Sequence, residues 1–281
     1  MRSITISICI IVFSIFFLIA DEASCSDSQE FKFTTGFDYS SGDYGGNSDT
    51  TILYIPFTGK YLDEKYSIKV TIPYLRIKSE DTVVTSGGQV IVSGDSLLTS
   101  EETESGLGDI VAAFSYYLLE ETENSPMVDI NAKVKLGTAD EDKGLGTGET
   151  DYALEVDLAK TFDENVLFGT LGYKFYGDPA AYDLDNAFYT SIGLSHRFSS
   201  ELSAGLMHDY REKTTDSGSE MNELTAFATY KLSSNYKLMG YTVAGLSDGS
   251  PDWGIGLTIT RAFGAEDISK SYRYLEKLRF W

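Results

Sequence analysis

Charged and apolar residues alternate along two neighbouring segments of the chain, and their types could line a water-filled passage. From Val128 to Leu136 every second residue is apolar and those between are charged or polar, and the pattern returns from Asp151 to Leu158. Strand side chains alternate between two faces, so each segment is predicted to be a strand with one apolar and one charged wall. The candidate lining residues are Asp129, Asn131, Lys133, Lys135, Asp151, Glu155 and Asp157.

A glycine-rich connection at 138–148 joins the two segments, so we interpret them as one hairpin. If it closes near Lys143, Lys135 faces Asp151 and Asn131 faces Glu155. Opposite charges paired across a ladder stabilise it by about 0.2–1 kcal/mol. Two interpretations of the charged wall follow: it balances its own charge, or it lines a pore and orients polar solutes.

Catalysis would need a histidine beside a nucleophile, and the chain has two histidines, His196 and His208. Both lie on apolar-patterned faces, while alternation sends Ser195 to the face opposite His196. We therefore predict that the protein is not an enzyme, and a lipid-modifying barrel enzyme is the alternative that mutation of His196 would test. The acidic groups Asp140–Asp142 and Glu101–Glu104 lack the spacing of a calcium loop. We expect no metal site and no cofactor.

The elements that must position these residues are about twelve alternating segments, and the connections between them alternate in length. Outer-membrane barrels have short periplasmic turns, longer outside loops and aromatic residues near strand ends. We therefore predict an all-β fold, an antiparallel transmembrane β-barrel of about 12 strands with short periplasmic turns and longer extracellular loops. The predicted short turns are Gly59–Lys65, Glu120–Ser125, Phe162–Asn165, Ser199–Glu201 and Ser233–Asn235.

The longest predicted connection is Lys78–Ser105, which is polar and acidic. Its inner piece, Gln89–Ser93, is predicted to pair locally, either as an extension above the barrel or as a segment folded into it. We expect this connection to gate or narrow the lumen.

Both ends of the chain differ from the middle. Arg2 and the apolar run Ile4–Ile19 are typical of a secretory signal, which we assign to residues 1–26, so the barrel is predicted at residues 27–263. Residues 264–281 are a predicted periplasmic tail. Apolar residues at helical spacing favour a short amphipathic helix there, and a closing strand at Tyr272–Trp281 is the alternative.

The chain is strongly acidic, with 22 Lys and Arg residues against 43 Asp and Glu residues, a formal net charge of −21. Such a chain has no electrostatic reason to bind nucleic acid. The excess acid either keeps the loops soluble or attracts cations at a membrane surface. The predicted partners are outer-membrane lipid and a small-molecule solute.

Two stretches at the hairpin tip, Lys135–Asp140 and Lys143–Asp151, carry a resemblance to a known family. With Ile72–Ile77 and Gly106–Asp109, they resemble the Putative MetA-pathway of phenol degradation family over most of Phe31–Phe263. The residues that match the family pattern are Lys135, Thr138, Gly146, Gly148 and Asp151. The chain departs from that pattern at Gly137, where proline is usual, and at Ala139, where glycine is usual.

The resemblance implies an outer-membrane barrel that takes part in uptake. Together with the pattern above, it predicts a channel or transporter in the outer membrane of a Gram-negative bacterium. The channel would admit small solutes passively, including hydrophobic or aromatic ones. The alternative is a barrel without transport that has a structural or surface-binding role through its acidic loops.

Overall fold

The computed structural model describes residues 29–46, 48–80, 82–94, 102–180 and 183–264. The described residues form fifteen strands and one 3-10 turn at Glu141–Lys143. The strands are β1 Glu30–Gly42, β2 Thr50–Leu62, β3 Tyr66–Ser79, β4 Thr82–Ser86, β5 Gln89–Gly94, β6 Glu102–Leu107, β7 Ile110–Leu119, β8 Met127–Leu136, β9 Asp151–Phe162, β10 Asn165–Phe175, β11 Ala187–Arg197, β12 Leu202–Arg211, β13 Met221–Lys231, β14 Tyr236–Gly245 and β15 Trp253–Gly264.

The signal assigned to residues 1–26 lies outside the described residues, as does the tail beyond residue 264. Within the described ranges, no helix is both long and apolar enough to cross a membrane.

Thirteen of the strands form a single antiparallel sheet that closes on itself. The order runs β2-β1-β15-β14-β13-β12-β11-β10-β9-β8-β7-β3-β6, and β2 also pairs with β3. Strands β6 and β7 pair with successive halves of β3. They therefore count as one strand of the barrel, which is interrupted at Gly108 and Asp109. The result is the closed 12-strand antiparallel barrel that the sequence predicts.

One strand boundary was wrong. The prediction leaves all of Lys78–Ser105 as a connection, whereas β6 already pairs Glu102–Leu107 with Ser79–Tyr74. The sequence of β6, ETESGL, is polar apart from its last residue and has no period of two. Its pairing partner β3 therefore determines its strand conformation.

The alternation of faces decides which side chains point outward from the barrel and which point inward. Large apolar side chains such as Leu154, Leu171 and Ile192 are 50–58% exposed on the outer wall. Their neighbours along the same strands, such as Glu155 and Thr170, point inward and are buried. An apolar outer surface around a polar interior reverses the arrangement of a water-soluble barrel and matches that of a membrane barrel.

Two prolines face each other across β2 and β3, as register partners Pro56 and Pro73. Proline has no N–H to donate to a ladder. Ladder pairs are interrupted beside each proline: the β1–β2 pairs skip from Thr35 to Asp38, and the pairing of β3 passes from β7 to β6. Both prolines therefore lie where the ladder is interrupted.

Connection lengths alternate around the barrel, as predicted. The short turns at 63–65, 120–126, 163–164, 198–201 and 232–235 all lie at one end, which is also the end where β1 begins and β15 finishes. The connections at 43–49, 80–101, 137–150, 176–186, 212–220 and 246–252 lie at the other end.

Candidate functional site

The hairpin of β4 and β5 folds into the barrel at its long-loop end, which decides between the two placements predicted for Gln89–Ser93. Val83 and Val90 pack against wall residues of β2 and β3, and Ile91 packs against Tyr176. A barrel of twelve strands is too wide for its own side chains to fill. The hairpin therefore narrows the lumen at that mouth.

Polar contacts hold the hairpin to the wall on several strands. Ser86 Oγ donates to Asp151 Oδ2 at 2.8 Å and accepts from Lys174 Nζ at 3.0 Å. Arg211 donates from Nη1 to Gln89 Oε1 at 3.1 Å and from Nη2 to the Val90 carbonyl oxygen at 3.3 Å. Further bonds run from Thr214 Oγ1 to the Ile91 carbonyl oxygen and from Thr85 N to the Gly144 carbonyl oxygen, at 2.9 and 3.1 Å.

The seven predicted lining residues all point inward, and each is no more than 6% exposed. The expected register is confirmed: Lys135 pairs with Asp151 and Asn131 with Glu155. Asp129 pairs with Asp157.

Lys135 is the centre of a fully buried charge cluster. Its Nζ lies 2.9 Å from Asp109 Oδ2 and 3.4 Å from Asp151 Oδ2, and donates to Thr147 Oγ1 at 2.9 Å. Asp151 Oδ2 also lies 3.4 Å from Lys174 Nζ. Two carboxylates and two ammonium groups share this site, so each buried charge has an opposite neighbour.

Closer to the middle of the barrel, the remaining lining residues form a second network. Lys133 is ion-paired with Glu155, whose Oε1 also accepts from the Tyr189 hydroxyl. Asp157 accepts from Asn131 Nδ2 at 2.7 Å and from Thr170 Oγ1 at 2.6 Å.

The register also places acidic residues of the inner wall directly opposite each other. Asp129 pairs with Asp157, and Asp209 pairs with Glu223. Thr170 and Ser191 connect the two acidic pairs along one line of ladder partners. Like charges directly opposite each other destabilise a sheet, so this line has a cost to the fold.

Four inward-facing aromatic rings lie against glycines on the neighbouring strand. Each ring and its glycine are direct register partners, and a Cβ on the glycine would approach the ring to 2.1–2.7 Å. Because each ring lies over a glycine, it follows the wall and projects less into the lumen. The pairs are Tyr189 with Gly172, Phe168 with Gly193, Phe227 with Gly205 and Tyr241 with Gly256.

The family-motif residues meet at the tip of the β8–β9 hairpin. The Thr138 and Ala139 N–H groups donate to Asp109 Oδ1, both at 3.0 Å, and Thr138 Oγ1 accepts from Ile110 N at 3.0 Å. A Cβ at Gly146 would lie 2.7 Å from Asp109 Oδ2. These contacts tie the tip to the break between β6 and β7.

Glycine is also required at two further positions of this tip. Gly148 has φ +75°, in the left-handed region. A Cβ at Gly137 would lie 2.0 Å from the Gly148 carbonyl oxygen. A residue with a side chain at position 137 would therefore clash with the backbone of the other arm of the tip.

Neither histidine shows a catalytic arrangement in its contacts. His196 Nδ1 is 3.0 Å from Asn165 Oδ1, and His208 Nε2 is 2.7 Å from Asn222 Oδ1. Ser195 is buried on the inner wall, whereas His196 lies on the outer wall beside Phe198.

Sequence reasoning missed several members of the site: Asp109, Lys174, Arg211, Tyr189 and the hairpin residues Ser86 and Gln89. Alternation along β10 could have found Lys174, because its neighbours Tyr173 and Phe175 carry the apolar pattern. Asp109 sits at a strand break, and Ser86 reaches the wall through a hairpin, so no local periodicity marks either residue.

A solved structure with a TM-score above 0.5 shares this architecture. A crystal structure of the COG4313 outer membrane channel from Pseudomonas putida F1 matches with a TM-score of 0.62 and 14% identity, over 86% of this chain and 98% of that one. The NanC porin matches with a TM-score of 0.48 and 10% identity, over 82% and 98%. A family model matches residues 30–263, which is most of the sequence. The chain therefore belongs to the family described as Putative MetA-pathway of phenol degradation.

Proposed function

We propose that this protein is an outer-membrane channel of a Gram-negative bacterium that admits small solutes passively, including hydrophobic or aromatic ones. The observation that carries the proposal is the inverted wall: apolar residues face outward and a buried polar network faces inward. A structural anchor has no need for ionisable residues around its lumen. The Pseudomonas putida protein of similar fold is an outer membrane channel, which supports the same function.

The interior supports passage of both polar and apolar solutes. Its long-loop half carries the charge clusters around Lys135 and Lys133. Its short-turn half holds an apolar cluster of Met127, Ala159, Val166, Phe168, Met207 and Met239, with Phe227 packed against it. Methionine side chains are flexible and polarisable, and adapt to apolar ligands of different shape.

The test is conductance. Residues 27–281 are refolded into a planar lipid bilayer, and the current and reversal potential are recorded under a KCl gradient. Altered gel mobility of the unheated sample checks folding. Steady single-channel steps are the expected result; a folded protein that never conducts would overturn the proposal.

A variant tests whether the inner wall contacts the permeating ions. Asp129→Asn with Asp157→Asn removes two inward charges, and Asn can keep the hydrogen bonds of Asp157 with Asn131 and Thr170. We expect the reversal potential to shift toward anions. The matched control, Asp163→Asn with Glu164→Gln, removes two charges from a turn outside the lumen and should shift it less.

A further inference from the structure

Five lysines of the inner wall lie on a single line of ladder partners. Lys32 pairs with Lys60, and Lys60 pairs with Lys69. The line continues through Ala113 to Lys133, and through Ala153 to Lys174. We call these five residues the lysine line.

The lysine line runs from the short-turn end of the barrel toward the long-loop end. Strands of a membrane barrel tilt by roughly 35–45°, so a line perpendicular to them rises along the wall. Lys32 is the third residue of β1 at the short-turn end, and Lys174 is next to last in β10 at the long-loop end. Adjacent strands are about 4.8 Å apart, so consecutive lysines are separated by roughly 5–10 Å across the ladder.

The two ends of the line differ in accessibility. Lys133 and Lys174 are buried and ion-paired with Glu155 and Asp151. Lys32, Lys60 and Lys69 are only partly buried, and they occupy three adjacent strands as direct partners. Lys32 Nζ lies 3.6 Å from Glu30. Placing like charges opposite one another has a cost in stability, which an anionic ligand would offset.

An apolar face lies across the lumen from these three lysines. β10 is six strands from β1 in the closed order, and β12 is six strands from β3, so each pair is on opposite walls. The apolar cluster described above draws Val166 and Phe168 from β10 and Met207 from β12. The chain has five methionines, and the four beyond Met1 are all buried in the barrel interior.

We propose that the short-turn half of the lumen binds amphipathic organic anions, a carboxylate on an apolar or aromatic body. The carboxylate contacts Lys32, Lys60 and Lys69, and the apolar body contacts the methionine and phenylalanine face. Ammonium–carboxylate bonds are among the stronger hydrogen bonds, and several adjacent lysines allow a solute to pass from one to the next. This inference rests on the proposed channel function and names its substrate class.

The experiment compares three probes of similar size: benzoate, neutral benzyl alcohol and cationic benzylammonium. Binding of all three probes to the refolded barrel in detergent is measured by calorimetry, and permeation of the two charged probes is measured by reversal potential in bilayers. We expect benzoate to bind most tightly. Lys60→Gln with Lys69→Gln should weaken benzoate binding on the order of tenfold, the scale of a lost charge-assisted contact, and leave benzyl alcohol unchanged.

The matched control is Lys65→Gln with Lys78→Gln, which removes two lysines that are exposed outside the lumen. It should bind benzoate like the wild type. Equal binding of benzoate and benzyl alcohol by the wild type would overturn the proposal, as would an unchanged benzoate preference in folded Lys60→Gln/Lys69→Gln. Because calorimetry needs no current, a barrel that binds benzoate through these lysines but never conducts would refute the channel function alone.

Discussion

At the scale of single residues, the most constrained side chain is Lys135. It is fully buried between Asp109 and Asp151. Removing one partner of a buried ion pair leaves an uncompensated charge and costs about 3–5 kcal/mol. Lys135→Met should therefore lower the free energy of unfolding by roughly that amount, measured as the urea midpoint of the refolded barrel.

Lys143→Met is the matched control for that measurement. Its ion pair with Asp140, at 3.1 Å, is about half exposed on both sides, and such pairs contribute about 0–1 kcal/mol. Equal midpoints for the two variants would show that the Lys135 cluster does not stabilise the fold.

Gly172 allows Tyr189 to lie along the wall. An added Cβ would come 2.3 Å from Tyr189 Cζ, so Gly172→Ala should displace the ring and disturb its bond to Glu155. Overpacking of this kind typically costs about 1–3 kcal/mol. Gly240→Ala is the control, because its Cβ would meet nothing nearer than 3.8 Å. If both variants unfold at the same urea concentration, the ring does not depend on that glycine.

Residue-scale prediction from sequence succeeded where a side chain's direction follows from its strand. The period-two alternation correctly predicted that the side chains of Lys133 and Glu155 lie on the same face of the hairpin. It could not pair Lys174 with Asp151 and Ser86, because those contacts join strands and a hairpin that are distant in sequence. The sequence did not identify Asp109 as a site residue for the same reason, because its partners are the distant backbone N–H groups of Thr138 and Ala139.

At the scale of elements, the hairpin of β4 and β5 should control how far the lumen opens. Arg211 and Thr214 hold its second arm. Replacing them by Met and Val removes three hydrogen bonds, each contributing about 1 kcal/mol to docking of the hairpin. We expect higher conductance and more frequent changes between current levels. Lys213→Met is the control: the exposed Lys213 Nζ donates to the Asp216 carbonyl oxygen at 2.9 Å, so this variant should conduct like the wild type.

The turn between β7 and β8 is tied to the end of β9 by Glu121. Its carboxylate accepts from Thr161 N at 2.7 Å and Thr161 Oγ1 at 2.9 Å, and lies 3.2 Å from Lys160 Nζ. Partial burial acts to raise the pKa of Glu121, but these hydrogen bonds and the nearby ammonium outweigh burial and hold the pKa below its usual value.

The lowered pKa of Glu121 determines how the stability of the fold should change with pH. A carboxyl whose pKa is lower in the folded state stabilises the fold above its usual pKa, and this contribution is lost as the pH falls through the lowered value. Glu121→Gln should therefore remove part of the acid-side decline in urea midpoint, by less than about 1 kcal/mol for so exposed a group. A wild-type profile that the substitution leaves unchanged on the acid side would contradict this.

Element-scale prediction was strongest for long alternating strands. β8 and β9 each show the period over most of their length, so their faces and register followed from sequence. The polar strand β6 carries no such period, and its conformation is determined by pairing with β3. The placement of the β4–β5 hairpin depends on contacts with β9, β10 and β12, which no local pattern encodes.

At the scale of the whole molecule, charge is divided between the two ends of the barrel. The six long connections contain 18 acidic residues and 2 lysines, whereas the five short turns contain 8 acidic residues and 1 lysine. The inward positions of the described strands carry both acidic and basic side chains. By sequence, more than two thirds of the acidic residues in these connections therefore belong to the long ones.

This division predicts two filters in series. The acidic mouth attracts small cations through a field that salt screens, with a Debye length of about 10 Å at 0.1 M and about 3 Å at 1 M. Lys32, Lys60 and Lys69 act deeper, by direct contact. Cation preference in the reversal potential should therefore be stronger at 0.1 M KCl than at 1 M, where mainly the contribution of Asp129 and Asp157 inside the lumen remains.

Variants separate the two filters. Asp140→Asn with Asp142→Asn should reduce the cation preference at 0.1 M and leave benzoate binding unchanged, since both residues lie in the connection between β8 and β9. Lys60→Gln with Lys69→Gln should abolish the benzoate preference and keep the salt dependence of small-ion selectivity. A cation preference of equal size at 0.1 M and 1 M KCl would show that the acidic mouth contributes nothing and that Asp129 and Asp157 inside the barrel determine the preference.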